Sequence, residues 1–119
     1  MASRCKVKNA KKCVWCIKAS ADFNSNAATS LRAGFKNGNI NMLVSEFDAS
    51  DIIKKTKGYA KLSAKEQASL NLPYVQTSLL INEMINLEHE INNNKVKLKE
   101  RSGMRKDRFS SLEYSYWVV

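Results

Sequence analysis

At 119 residues the chain is one domain or part of one, long enough for a modest core. Its 44% apolar content is ordinary for a globular protein. No apolar run reaches the ~18 residues of a membrane span, and no apolar stretch follows the basic N-terminus as a secretory signal requires. Twenty Lys and Arg against 11 Asp and Glu leave a net charge of +9, which suits an anionic partner such as nucleic acid.

Residues 1–12 carry Arg4, Lys6, Lys8, Lys11 and Lys12 with no acid among them, and read as a basic flexible arm ahead of a single α/β domain over residues 13–119. Cys5, Cys13 and Cys16 make an odd count with no extracellular cues, so reduced thiols in a cytoplasm are expected. Cys13 and Cys16 stand three apart in what reads as a strand. That spacing points them to opposite faces and argues against a shared metal or a disulfide. Residues 13–17 are a short apolar run, the pattern of a strand buried on both sides. Asn24 or Ser25 can cap a following helix with Ala27, Ala28, Leu31 and Phe35 on one face, and Gly38 stands as its stop. Ile40, Met42 and Val44 then alternate, which predicts a strand over residues 39–45. Strand, helix and strand make a parallel, right-handed βαβ unit.

Residues 46–62 are polar and read as a loop. Glu46, Asp48 and Asp51 follow the end of the predicted strand, where either solvated charge or a ligand role is open. Ser63-Ala64-Lys65-Glu66 has the form of a capping box and predicts a short helix stopping before Pro73. A longer helix is expected from Thr77 or Ser78, with Leu80, Met84, Leu87 and Ile91 as a core-facing stripe widened by Ile81 and Ile85. His89 falls in it as a structural residue, and Asn92-Asn93-Asn94 ends it. Lys95-Val96-Lys97-Leu98-Lys99 alternates as an edge or half-buried strand does, its lysines serving either as a DNA track or as a guard against strand pairing.

The closing stretch, Gly103-Met104-Arg105-Lys106-Asp107-Arg108-Phe109-Ser110-Ser111-Leu112, packs cations around one acid just where an apolar helical pattern begins. Phe109, Leu112 and Tyr116 share a face. Asp107 stands at the N-cap position, where its carboxylate can cap the helix or hold a divalent cation against a phosphodiester. Tyr114, Tyr116 and Trp117 read as packing, with base stacking as the alternative.

That motif resembles the end of the large terminase subunit of tailed bacteriophages, a packaging ATPase followed by a nuclease of RNase H-like fold. Leu72-Pro73-Tyr74-Val75-Gln76-Thr77, Leu79-Leu80-Ile81-Asn82-Glu83-Met84 and Leu87-Glu88-His89-Glu90-Ile91 resemble the same family. So do Ile17-Lys18-Ala19, Asn24-Ser25 and Lys36-Asn37-Gly38-Asn39-Ile40, more loosely. The similarity covers residues 14–119. In that family the acid opening the last helix is the last catalytic carboxylate, and it falls on Asp107. The family's earlier acids lie on segments ahead of the matched region, and no phosphate-binding Gly-Lys-Ser/Thr loop occurs in these residues.

The resemblance implies the C-terminal portion of an RNase H-like α/β domain, with a small mixed sheet, a parallel βαβ unit and flanking helices. It implies metal-dependent cleavage of concatemeric viral DNA during packaging in a bacterial host cell, with Asp107 as catalytic residue and metal ligand. Mg²⁺ or Mn²⁺ binds only if other acids complete the site, and the chain is inactive alone. Arg101, Arg105, Lys106 and Arg108, with Lys97 and Lys99, are the expected contacts to double-stranded DNA. The remaining terminase segment, the small terminase subunit and the portal are the implied protein partners. The alternative is a non-catalytic basic nucleic-acid-binding or interaction module of a prophage remnant, and no membrane association is expected.

Overall fold

The computed structural model describes residues 17–118. The basic arm, the three cysteines and residues 13–16 of the first predicted strand lie outside the described residues. Helix α1 spans Ala21–Lys36 and begins earlier than the sequence suggests, because Ser20 is the cap: its hydroxyl accepts from Phe23 N at 3.2 Å. Ala27, Ala28 and Leu31 bury the expected face. The stop at Gly38 holds. Gly38 takes φ 71°, Asn39 N donates to Gly34 O at 2.9 Å and Gly38 N to Phe35 O at 3.1 Å, the paired bonds of a Schellman motif.

Residues 37–45 form no strand. The alternation of Ile40, Met42 and Val44 is real, but among the described residues no neighbouring strand offers it a ladder. The polar stretch after it is not simply a loop. Ser45 caps helix α2, Glu46–Lys54, accepting from Asp48 N at 3.2 Å, and Ala49 and Ile53 bury the inner side of that helix. Two residues four apart are too few to register as a helical period, yet they suffice once α3 lies against them.

Helix α3, Ala64–Ile85, opens with the predicted capping box: Ser63 N donates to Glu66 Oε2 at 2.8 Å and Glu66 N to Ser63 Oγ at 3.4 Å. The helix does not stop before Pro73 but runs through it. A proline inside a helix costs about 3 kcal/mol. The penalty is offset by packing: α3 lies on α2 and also on α4, the helix Asp107–Val118.

The predicted helix over Leu87 and Ile91 is instead a strand. Here β1, Leu87–Asn92, pairs antiparallel with β2, Lys95–Glu100, in the register Asn92↔Lys95 to Leu87↔Glu100. Asn93 and Asn94 both take positive φ, 49° and 60°, as a two-residue type I′ hairpin turn demands. The asparagines that looked like a helix end therefore turn a hairpin. As a result Ile85 and Ile91, assigned to the core by helical spacing, are 74% and 71% exposed.

The described residues thus form a mixed α/β arrangement of four α-helices and one two-stranded antiparallel sheet, without the parallel pairing expected of a βαβ unit. α1 packs on both β2 and α4, while α2 packs on α3. The core is made of Ala27, Ala28, Leu31, Ala49, Ile53 and Phe109. Phe23 sits against Tyr114 and Trp117 with ring centroids 5.8 and 5.3 Å apart, so those aromatic residues pack α4 on α1.

At Gly34, α1 lies directly against the Tyr116 side chain of α4. A Cβ there would lie 2.5 Å from the Tyr116 hydroxyl oxygen and 3.1 Å from Ile40 Cδ1. We predict that Gly34→Ala destabilises the protein. Overpacking costs about 1–3 kcal/mol, more than the ~1 kcal/mol of helix propensity that alanine returns. Thermal unfolding followed by circular dichroism reads the sign, and a raised Tm contradicts it.

Candidate nucleic-acid interface

The loop 101–106 carries the chain from β2 into α4, turning at Gly103 with φ 78°, where Met104 N donates to Arg101 O at 2.9 Å. Helix α4 opens at Asp107, as expected, but Asp107 does not cap it. Lys106 occupies the N-cap position and has no side-chain acceptor to offer. The open N–H groups are met from another helix: Glu83 of α3 accepts from Phe109 N at 3.0 Å through Oε2. Its other oxygen, Oε1, takes Arg108 Nη1 at 2.8 Å. Arg108 Nε in turn donates to Gln76 Oε1 at 2.8 Å.

Burial opposes ionisation of Glu83, but the Phe109 N–H and the Arg108 guanidinium and N–H outweigh it and hold this carboxyl below the usual range. Glu83 is 91% covered, one of two buried acids among the described residues. Sequence reasoning passed over it because it lay inside an apolar stripe. The available signal was that Gln76, Leu80 and Glu83 fall at i, i+4 and i+7, two polar groups on a face otherwise read as core.

With the cap supplied by Glu83, Asp107 is exposed, and among the described residues it makes no hydrogen bond or ion pair. The cations around it divide into two sets. Arg108 is held by Glu83 and Gln76, and Lys106 turns back to donate to Leu98 O at 3.0 Å, with Glu100 at 3.3 Å. Those two fasten α4 to α3 and to β2. Arg101 pairs with Glu88 at 3.2 Å, Lys99 pairs with Glu90, and Lys95 with Asp22 at 2.7 Å. These are exposed pairs of small energetic weight, readily exchanged for phosphate. Arg105 and Lys97 are exposed and have no ion-pair partner among the described residues. The six cations expected on DNA are therefore near one another in the chain but not equivalent: two are structural, two are lightly engaged and two are open.

The second buried acid is Glu113, on the same face of α4 as Phe109. It borders a cleft of about 490 Å³ between the start of α1, the hairpin tip and α4, which Lys97, Lys106, Asn24 and Tyr114 also line. Burial pushes its carboxyl up, and Lys106 offsets this only in part. Glu46, Asp48 and Asp51 sit on α2, with Asp48 accepting from the Ser45 hydroxyl at 2.7 Å, an N-cap arrangement. Among the described residues no three of His, Cys, Asp or Glu converge as a metal ion requires. No family model, curated protein or solved structure matches the chain.

The two buried acids should leave opposite pH signatures. The lowered carboxyl of Glu83 contributes stability above its unfolded value of 4.5, and that contribution is lost as pH falls through the native value. The raised carboxyl of Glu113 favours the fold at low pH and costs stability as pH rises through and beyond 4.5. At pH 7 we expect Glu83→Ala to lose about 2–3 kcal/mol, leaving the Phe109 N–H without its acceptor and the Arg108 guanidinium held by Gln76 alone. Glu113→Gln should be stabilising, because the carboxylate it replaces is disfavoured by burial at that pH. Both differences should shrink in acid. Urea unfolding across a pH series measures them, and equal and pH-independent effects would refute the assignment.

Proposed function

We propose that this chain is the C-terminal nuclease portion of a phage terminase large subunit, contributing to metal-dependent cleavage of concatemeric viral DNA during packaging. The RNase H-like architecture, including a parallel βαβ unit, belongs to the same proposal. What supports it is the state of Asp107. An acid at the start of a helix is ordinarily a cap, and that explanation is removed because Glu83 does the capping. The carboxylate is left exposed on the rim of a basic loop, where the motif resemblance places a catalytic acid.

One carboxylate does not hold two divalent cations, and the described residues bring no second and third acid to it. The donor set therefore does not fit Mg²⁺ or Mn²⁺ by itself, and a metal site requires carboxylates from beyond residues 17–118. The contribution of these residues is one oxygen donor and a cationic rim. On that rim Arg105 and Lys97 are placed to neutralise phosphate, while Arg101 and Lys99 can give up weak partners to do so.

The second reading, a non-catalytic DNA-binding module, is favoured by the same open cations and needs no metal. The two readings separate experimentally. Both predict duplex binding that falls with salt. Arg105→Ala and Lys97→Ala should each lower the affinity and reduce the salt slope by about one. Arg108→Ala should instead lower stability, by the loss of a buried charge partner. In a supercoiled-plasmid assay with Mg²⁺ or Mn²⁺ the chain alone should not nick. Robust nicking abolished by Asp107→Ala would mean that the chain carries a full site. Complementation by an acid-bearing polypeptide that restores Asp107-dependent nicking supports the terminase reading, whereas DNA binding without such rescue supports the module.

A further inference from the structure

The cleft between the start of α1, the hairpin tip and α4 holds an acid that the fold itself does not use. Glu113 lines it and is only 7% exposed, yet among the described residues its carboxylate accepts no hydrogen bond and enters no ion pair. Lys106 acts on it through space alone, because that ammonium donates to Leu98 O at 3.0 Å and pairs with Glu100 at 3.3 Å. Glu83, the other buried acid, has both oxygens committed. Among the described residues no buried side-chain oxygen is sealed off without a partner, so the unmet oxygens of Glu113 open into the cleft they line. An ionised carboxylate only accepts, and a pair of N–H donors is what would complete it. The rest of the lining indicates what carries them. Tyr114 Oη donates to Asn24 Oδ1 at 3.3 Å, which leaves the Asn24 amide N–H groups to donate within the same cleft. Tyr114 and Phe109 add aromatic wall, and Lys97 is exposed with no ion-pair partner among the described residues. A volume of about 490 Å³ is that of a small-ligand site.

We propose that this cleft binds an unpaired guanine nucleotide, with Glu113 accepting from the N1–H and N2–H of the base and Lys97 neutralising the phosphate. Guanine is the base whose Watson–Crick edge places two adjacent N–H donors beside a carbonyl acceptor. That edge matches the two oxygens of Glu113 and an amide donor from Asn24. Adenine and cytosine set one amino group beside a ring acceptor, which repels a carboxylate, and thymine offers a single N–H between two carbonyls. Bases free of pairing are read on this edge and held by stacking on aromatic side chains. Pairing with such a base also relieves the burial that disfavours the Glu113 carboxylate. An intact duplex presents no free Watson–Crick edge, so the site shares only Lys97 with the rim that meets duplex phosphates. It needs neither Asp107 nor a metal ion, and stands apart from the nuclease reading.

The test is fluorescence anisotropy of the full chain, near neutral pH and at fixed salt, with a labelled short thymidine strand and the same strand carrying guanine, adenine or cytosine at its centre. The guanine strand should bind at least about tenfold more tightly than the other three, the discrimination that one bidentate base contact gives. Glu113→Gln keeps the shape but replaces two acceptors with one acceptor and one donor. It should abolish the guanine preference and leave the far-ultraviolet spectrum and the binding of the all-thymidine strand unchanged. Lys97→Ala should weaken all four strands alike. Asn24→Ala, which should also reduce the guanine preference, serves as the second variant if Glu113→Gln perturbs the fold. Competition by guanosine monophosphate but not adenosine monophosphate supports a site for the free nucleotide. Guanine preference without that competition supports a site for a nucleotide within a strand. Equal affinity for the four strands overturns the proposal, and so does a guanine preference that survives both Glu113→Gln and Asn24→Ala. Duplex binding measured in parallel keeps the two readings apart, since duplex affinity without guanine preference sinks this site alone.

Discussion

The contact on which the arrangement depends is the carboxylate of Glu83 closing the N-terminus of α4. Each helix start leaves N–H groups without partners, and the residue at the N-cap usually supplies an acceptor. Lys106 cannot. The need is met from α3, seven residues beyond Gln76, which steadies the Arg108 guanidinium on the same carboxylate. One side chain thereby joins two halves of the structure. α1, α4 and the hairpin form one packed group and α2 with α3 another, and the principal packing between the groups is that of α3 on α4. Local backbone demand and tertiary organisation are satisfied by the same two oxygens.

This clamp also explains why the charge around Asp107 does not behave as a uniform patch. A cation drawn into holding the fold cannot also serve a phosphate without loosening the fold. Arg108 and Lys106 are spent on Glu83, Gln76, Leu98 and Glu100. Arg105 is left outward because the turn at Gly103 places it between the strand and the helix, and Lys97 because it faces solvent midway along β2. Counting basic residues overstates the interface; following each nitrogen to its acceptor identifies the part that is open.

The hairpin makes a related point about edges. β2 lies against α1 and has its outward groups met by Ser25 and Lys106, while β1 is defended only by its acids. Among the described residues the uncharged stretch between α1 and α2 has neither protection. A segment that alternates as a strand but lacks a ladder shows how far β structure depends on distant partners, which no local pattern supplies.

Local signals in the amino-acid sequence determined the features whose physics is itself local. The Ser63–Glu66 capping box, the Gly38 stop, the alternation of β2 and the opening of α4 at Asp107 each involve atoms a few residues apart, and each was legible. Tertiary structure decided the rest. Pro73 stays helical because α3 is packed on α2 and α4, and Leu87 and Ile91 leave the helix because Asn93-Asn94 can turn a hairpin onto β2. Within the candidate site the position of Asp107 could be read directly. That its carboxylate is relieved of capping could not, because the relieving group, Glu83, lies 26 residues from Phe109 in the chain, and only folding brings a buried acid to a helix end that lacks one.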